Sequence, residues 1–529
     1  MANPPDSGSR TRASSKSRGA RAAGLAAARP GWLPVAVIVA SVLLVTGLFL
    51  YQEHRIAGTW GYSLDDSWIY ATMARNLASG HGYSFNPGEP VAGSTGPLYT
   101  FVLALFYLVF REVVWSAKVF GVLCQIGSAL AIDATLRAAL PGSRALPLWA
   151  GLLMGVSPAL VWSSLSGMEI SFTMLLVSLG IYFHVRGRPL VAVLVWSLGV
   201  WLRPDGLFLL ALAVIFGPVR DLPKRALVAA PLLLAYFGFN FAVDGNWMPQ
   251  TVGAKAHLAV DLEERTWNLF REWAAIWGIP YRVTDDLEMP VLLLPLLVIG
   301  AAVSFRRWPV LLLYAIGLPL AFSLFREHSG SHKRYILYVI PFGVTLAVLG
   351  LHAVTRRLRP ATGARLAALV AAVSLIWLFG YTARQAETHG WNVQNIENMQ
   401  RLLGEFAGRV TQPGDRIATN DIGAIGYFSG RPVVDLMGLI TPMEPLPAML
   451  TKYRPEMLIV FVDWFHRDAL WDPGSRGFVF VDADTTNKYM MVGAVELRHN
   501  TICARDQMLA FRRLELDDPA PVPLLMEVR

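Results

Sequence analysis

Charge is scarce in this chain. Only 16% of its 529 residues are Asp, Glu, Lys or Arg, where a soluble protein carries about 25%. With 54% hydrophobic residues and repeated long apolar runs, a freely soluble globular fold is excluded and a polytopic membrane protein is expected. Cysteine is scarcer still. Cys124 lies in an apolar run and Cys503 near the C-terminus, so neither a structural disulfide nor metal–thiolate chemistry is expected. Neither a phosphate-cradling Walker loop nor a dinucleotide fingerprint occurs, so ATP or NAD use is not indicated. The formal charge of +8 sits in the N-terminal tail and short turns. That placement is the signature of membrane topology rather than of nucleic-acid binding.

Residues 1–30 are rich in Ser, Arg, Ala and Gly without apolar periodicity, and are expected to form a disordered basic cytoplasmic tail. A first apolar run, Trp32 to Tyr51, is long enough to span, and no Ala-x-Ala-like cleavage site follows it. Eleven further apolar segments follow at about 97–110, 115–139, 147–163, 169–184, 189–201, 206–219, 226–243, 291–305, 309–325, 335–352 and 365–383. The expectation is a polytopic α-helical membrane protein of about 11–13 spans over residues 31–384, with a first external loop at 52–96. Basic turns at Arg137/Arg144, Arg186/Arg188, Arg220–Arg225, Arg306/Arg307 and Arg356–Arg359 should be cytoplasmic. One inconsistency remains: an odd number of crossings is needed between the loop at 52–96 and the turn near 140, yet two runs lie there. Either 97–110 returns to its own face or 115–139 breaks in two.

From about 385 the composition changes to short apolar runs bounded by turn residues, at 416–419, 432–435, 457–462, 478–482 and 489–496. These read as strands. Residues 391–408 have helical spacing. A small extracytoplasmic α/β domain over 385–529 is expected.

Chemistry concentrates at one adjacent pair of carboxylates, Asp65-Asp66, just past the first span. One reading is structural: Asp66 caps a helix whose Ile69, Met73 and Leu77 face the membrane surface. Capping leaves the second carboxylate unexplained. The functional reading is a general base for a sugar hydroxyl, the partner orienting it or both holding a divalent cation through oxygen. No His or Cys cluster accompanies them, so zinc is not expected. The Gly/Pro-rich segment 81–97, with Tyr83 and Phe85, reads as a plain turn or a sugar-lining loop. Glu169 and the Arg203/Asp205 pair fall at span ends on the same side. They read equally as a structural ion pair or as ligand-binding groups. Lys255, with His257, and the cluster Arg326, His328, His332, Lys333 and Arg334 also fall there, against the cytoplasmic bias of the other basic residues. Ordinary anionic lipids would explain such a surplus; an anionic phosphate-linked lipid donor explains it better.

The run from Asp65 through Arg75-Asn76 to Gly82, then Phe85-Asn86 with Gly88-Glu89, then Gly93-Ser-Thr-Gly-Pro97, resembles the first external loop of GT-C fold glycosyltransferases. It is most similar to their terminal arabinofuranosyltransferase-like branch. Ser166-Gly-Met-Glu169, Leu202-Arg203-Pro-Asp-Gly206, Gly245-Asn-Trp-Met-Pro249 with Ala254-Lys255, Arg334-Tyr335, Asp421 to Tyr427 and Asp435 to Leu439 match in the same order. The resemblance implies inverting transfer of a monosaccharide, arabinofuranose in that branch, from a polyprenyl-phosphate donor to an extracytoplasmic glycan, glycolipid or protein acceptor. It places Asp65 or Asp66 as base, Asp65 slightly favoured. Ser67-Trp68 stands where the family has a small residue and Tyr. Arg203, Lys255, Lys333 and Arg334 would face the donor phosphate, and Glu169, Asp205, His257 and His332 the substrates. Some members need Mg or Mn and others do not; Asp65 and Asp66 would be its ligands. A bacterial inner-membrane location with a cytoplasmic N-terminus follows. The rival reading is a transporter or flippase for a lipid-linked saccharide, which would want charges buried mid-span and related halves.

Overall fold

A computed structural model describes residues 31–251, 261–280, 288–326, 328–472, 477–515 and 524–525. The expected tail at 1–30, Lys255 and His257 lie outside the described residues.

The membrane part begins with α1 (Trp32–Ala57), α2 (Asp65–Ala78), α3 (Pro97–Phe110), α4 (Val114–Ala139), the pair α5 (Ala145–Val156) and α6 (Pro158–Leu165), and α7 (Ile170–Val185). It continues with α8 (Pro189–Val200), α9 (Gly206–Ile215), α10 (Leu222–Asp244), α11 (Leu262–Ile276), α12 (Leu293–Ser304), α13 (Pro309–Ser323), α14 (Ile340–Thr355) and α15 (Pro360–Ile396). Among the described residues five helical stretches are long and apolar enough to cross a bilayer, and α5–α6, bent by 50°, makes a sixth. Pro158 opens α6; lacking an N–H and clashing with the preceding turn, it accounts for the bend. Six shorter apolar helices have 10–17 residues. Together they cover the twelve apolar segments of the sequence, and the protein is a multi-pass membrane protein.

The inconsistency near residue 110 resolves at α3. Its first turn is tied to the Arg203 corner, where the Leu98 N–H donates to the Trp201 carbonyl (3.1 Å). After its last residue Arg111 adopts φ 54° and the chain turns. Val113 then accepts from the hydroxyl of Tyr62 (2.7 Å), three residues before the doublet. Both ends of α3 therefore lie at the doublet's end, while α4 runs on unbroken for 26 residues. α11 is not among the apolar helices that could span, and without it the order of the remaining spans fits an alternation between the doublet end and the end carrying the basic turns.

Near the doublet's end of the bundle, Glu53 of α1 meets Lys118 of α4 (2.7 Å) and His389 of α15 (3.0 Å), all buried. It also accepts from the Gly61 N–H (3.1 Å). Three helices and the approach to the doublet share this one carboxylate.

The outer domain grows from α15, which runs through the expected boundary at 384/385 without a break. A π-turn at Glu397–Arg401 joins it to α16 (Leu402–Val410). Then come β1 (Ile417–Thr419), α17 (Ile422–Ser429), β2 (Val433–Asp435), α18 (Leu446–Tyr453), β3 (Met457–Val460), β4 (Leu470–Asp472), β5 (Gly477–Val481), β6 (Asn487–Glu496), β7 (Gln507–Glu515) and β8 (Leu524–Leu525). The sheet order is β2-β1-β3-β7-β6-β5-β4, with β8 on β6. β1 pairs in parallel with β2 and β3, and the rest of that path is antiparallel. Side chains alternate faces along a strand. Ile417, Met457 and Ile459 accordingly pack on α16, and Ala418, Leu458 and Val460 pack on α18. This is the expected α/β domain.

Two readings of the first loop are corrected here. Ile69 and Met73 of α2 do not lie on the membrane; they pack with Ile422, Val433 and Leu439 of the outer domain. Tyr83 and Phe85 belong to the same buried cluster. Asn86 continues the sheet edge by accepting from the Val433 N–H (2.8 Å) and donating to its carbonyl (2.9 Å). That strand edge is therefore covered, and the aromatics of segment 81–97 serve packing rather than lining a sugar site.

Candidate active site

Asp65 and Asp66 open α2, and neither caps it through a side-chain hydrogen bond. Their charges suit the helix's positive N-terminus, but their partners lie far away in sequence. Asp65 accepts from the N–H groups of Gly423 and Ala424 (2.8 Å each), the first turn of α17. It thus caps a helix of the outer domain across some 358 residues. Gly423 is required there, because a Cβ would collide with the Asp65 backbone. Burial first, and the neighbouring Asp421 carboxylate second, push the Asp65 carboxyl well above its ordinary range against the pull of those N–H bonds.

Asp421 is itself pushed up to about 6, mainly by burial, with hydrogen bonds from Gln400 and Asn420 opposing. An acid whose folded value is raised contributes stability at low pH that is lost as pH climbs through that value. Docking of the outer domain onto α2 should therefore tighten below pH 6. Asp421→Asn, which keeps an acceptor for Gln400, should raise the thermal midpoint at pH 7.5, by on the order of 1–2 kcal/mol of stability. At pH 5, between the free and the folded value, the gain should be about half as large, and it should vanish below pH 4. Thermal unfolding of the purified protein at these pH values checks this, and equal effects throughout would refute it.

Asp66 faces the other way. Its Oδ2 lies 2.7 Å from Nη2 of Arg334, and its side chain is 27% exposed. Arg334 also donates to the Tyr335 hydroxyl (3.1 Å). The Tyr335 ring is surrounded by guanidinium groups, those of Arg326 (4.5 Å), Arg203 (5.0 Å) and Arg334 (5.1 Å). Such cation–π contacts hold positive charge close together where pairing alone would not. Arg203 is buried, paired with Glu169 (2.8 Å) and Asp205 (2.9 Å). The fold thus gathers Asp66, Glu169, Arg203, Asp205 and Arg334 into one network.

The other expected residues sit beside it. Lys333 is 3.6 Å from Glu288. The His332 ring stacks on Trp162 (4.1 Å), and the Asn392 amide oxygen accepts from His332 Nε2 (2.8 Å) and Trp162 Nε1 (3.0 Å). His332 and Lys333 have φ of 52° and 53°, a conformation side chains of this kind rarely adopt. These anchors hold the strap that presents Arg334, and His332 stands beside the network.

Next to Tyr335 opens a cleft of about 300 Å³. Leu207, Phe208, Leu318, Phe322 and Phe325 form its apolar walls, and Arg203, Asp205, Arg326 and Tyr335 its polar end. This lining suits an amphiphile whose anionic end meets the guanidinium groups. Among the described residues no three His, Cys, Asp or Glu side chains are placed to share a metal ion.

Sequence reading marks Arg326 only as one member of a basic cluster and passes over Tyr338, which also lies beneath Arg203 (5.4 Å). Asp421 appears only inside a resembling motif. The useful signal was charge: cations collected at the doublet's end despite the opposite bias elsewhere.

The comparisons bear on this geometry. Residues 389–508 match a family described as a domain of unknown function (DUF8728). No curated protein matches the sequence. Among solved structures, ArnT from Cupriavidus metallidurans in the apo state has a similar fold, with a TM-score of 0.56 and 15% identity over 91% of this chain and 97% of that one. ArnT bound to undecaprenyl phosphate gives 0.54 and 16% over 92% and 98%. From its first span to its outer domain, the chain has the GT-C fold.

Proposed function

We propose that this protein is a glycosyltransferase that moves a monosaccharide from a polyprenyl-phosphate donor to an acceptor hydroxyl at the doublet's end of the bundle. The observation that carries this is the apolar cleft whose arginine-rich end continues through Tyr335 and Arg334 to Asp66. The apolar walls accept the prenyl chain, and Arg203 and Arg326 face the phosphate. The acceptor oxygen attacks the anomeric carbon, its proton passing to the Asp66 carboxylate. The bond from that carbon to the phosphate oxygen breaks, and the electron pair leaves on polyprenyl phosphate, where the guanidinium groups stabilise it. A single displacement of this kind inverts the anomeric centre. ArnT, similar in fold, is known bound to undecaprenyl phosphate, which supports a donor of this class.

Asp66 takes the base role in this reading because Asp65 is committed to α17. Arabinofuranose is proposed as the sugar on the resemblance of the first loop, and a cell-envelope glycan, glycolipid or protein under the outer domain as acceptor. The basic turns support a cytoplasmic N-terminus and, in this reading, an outer domain outside a bacterial inner membrane. A Mg or Mn ion shared by Asp65 and Asp66 does not fit the residues present, because Asp65 gives both oxygens to the N–H groups of α17 and Asp66 turns the other way onto Arg334.

The test is transfer of labelled sugar by the purified protein in nanodiscs, from a panel of polyprenyl-phosphate sugars, with and without EDTA. Acceptor-dependent release of polyprenyl phosphate is expected. Vesicle uptake of the labelled lipid without any bond cleavage would replace the transferase by a flippase.

A further inference from the structure

A second cavity, of about 320 Å³, lies at the opposite end of the bundle, among the basic turns. Arg225, Arg306 and Arg307 line it, and among the described residues no carboxylate does. His184 on its wall is fifteen residues along α7 from Glu169, about 22 Å at helical rise, so it is separate from the doublet's network. Arg225 is the telling residue. Its side chain is 1% exposed, packed over Gly217 so closely that a Cβ there would collide. One bond, from Nη2 to the Pro218 carbonyl (3.1 Å), holds it. Among the described residues its Nε has no hydrogen-bond partner.

A buried guanidinium without an anionic partner is strongly unfavourable, and Arg306 and Arg307 add charge of the same sign. The opposing surfaces of Trp196, Phe216 and Pro309 are apolar. We propose that this cavity binds a phosphate ester or phosphate ion on the side of the membrane remote from Asp66. Guanidinium forks match phosphate oxygens in two-point contacts. The ligand's source is either a lipid headgroup of that leaflet or phosphate in solution.

Purified full-length protein in neutral detergent is titrated calorimetrically with inorganic phosphate and, separately, with dioctanoyl phosphatidylglycerol. Saturable binding of at least one is expected. It should weaken about tenfold or more in the double variant Arg306→Gln/Arg307→Gln, whose melting temperature without ligand matches the parent's. Arg225→Lys, which keeps the charge but loses the fork, is the second variant and should weaken binding in the same sense. Phosphate binding alone identifies a soluble anion, and lipid binding alone a headgroup; either supports the site. Parent-like affinity in both variants, or no saturable binding of either ligand, overturns it. The cleft at Arg203 is untouched by these substitutions, so sugar transfer can fail or succeed independently.

Discussion

Asp66→Asn lowers kcat/KM for sugar transfer by about 10²–10⁴-fold, the range for loss of a general base, and leaves the melting temperature near that of the parent. The isosteric amide still accepts from Arg334, so the network around Tyr335 persists while the proton acceptor is gone. Asp65→Asn gives the reverse profile. An asparagine offers one acceptor oxygen to the two N–H groups of Gly423 and Ala424, and its own N–H₂ confronts the other. The lost pairing costs about 1–3 kcal/mol, offset in part by removal of a charge that burial and Asp421 disfavour, and activity falls only in proportion to the folded fraction. Transfer assays and thermal unfolding on both variants separate the roles. Should Asp65→Asn abolish turnover in a parent-like fold while Asp66→Asn turns over normally, the two assignments exchange.

The largest stability effect is expected at Lys118→Met. It strands Glu53 as a buried charge with only His389 and the Gly61 N–H near it. Removing one partner of a buried ion pair costs about 3–5 kcal/mol. Glu53→Gln combined with Lys118→Met should recover most of that loss, because the neutral amide still accepts from Gly61 and no charge is left uncompensated. Fluorescence-detected unfolding in detergent measures both. A single variant as stable as the parent would show that the triad contributes nothing net.

Local pattern was legible in the sequence, and distant partnership was not. Twelve apolar runs gave twelve helical segments because span length and apolar composition are set locally. The strands at 417–419, 433–435, 457–460, 477–481 and 487–496 were legible from β-branched and aromatic runs. β7 was missed, since Arg512 and Arg513 interrupt its apolar run. α3 could not be placed from hydropathy, because an apolar helix on the outer face reads like one that crosses. The convergence of Asp66, Arg203 and Arg334 was anticipated from loop charge. What Asp65 does was not, because its partners are backbone N–H groups that carry no mark in the sequence. The long helix α15 hid the domain boundary for a simpler reason: the composition changes where the backbone does not.

That continuity matters for the size of what can enter. Thirty-seven residues make a rod of about 55 Å, rooted in the bundle at one end and carrying the sheet at the other. Asp65 pins the sheet to α2 a second time. A body held at two points on a rigid post cannot swing like a lid, so the partly exposed Asp66 side chain is reached past a fixed wall rather than under a moving one. On the proposed reading an acceptor has to fit that wall as it stands, so bulk beside the reacting hydroxyl should slow transfer.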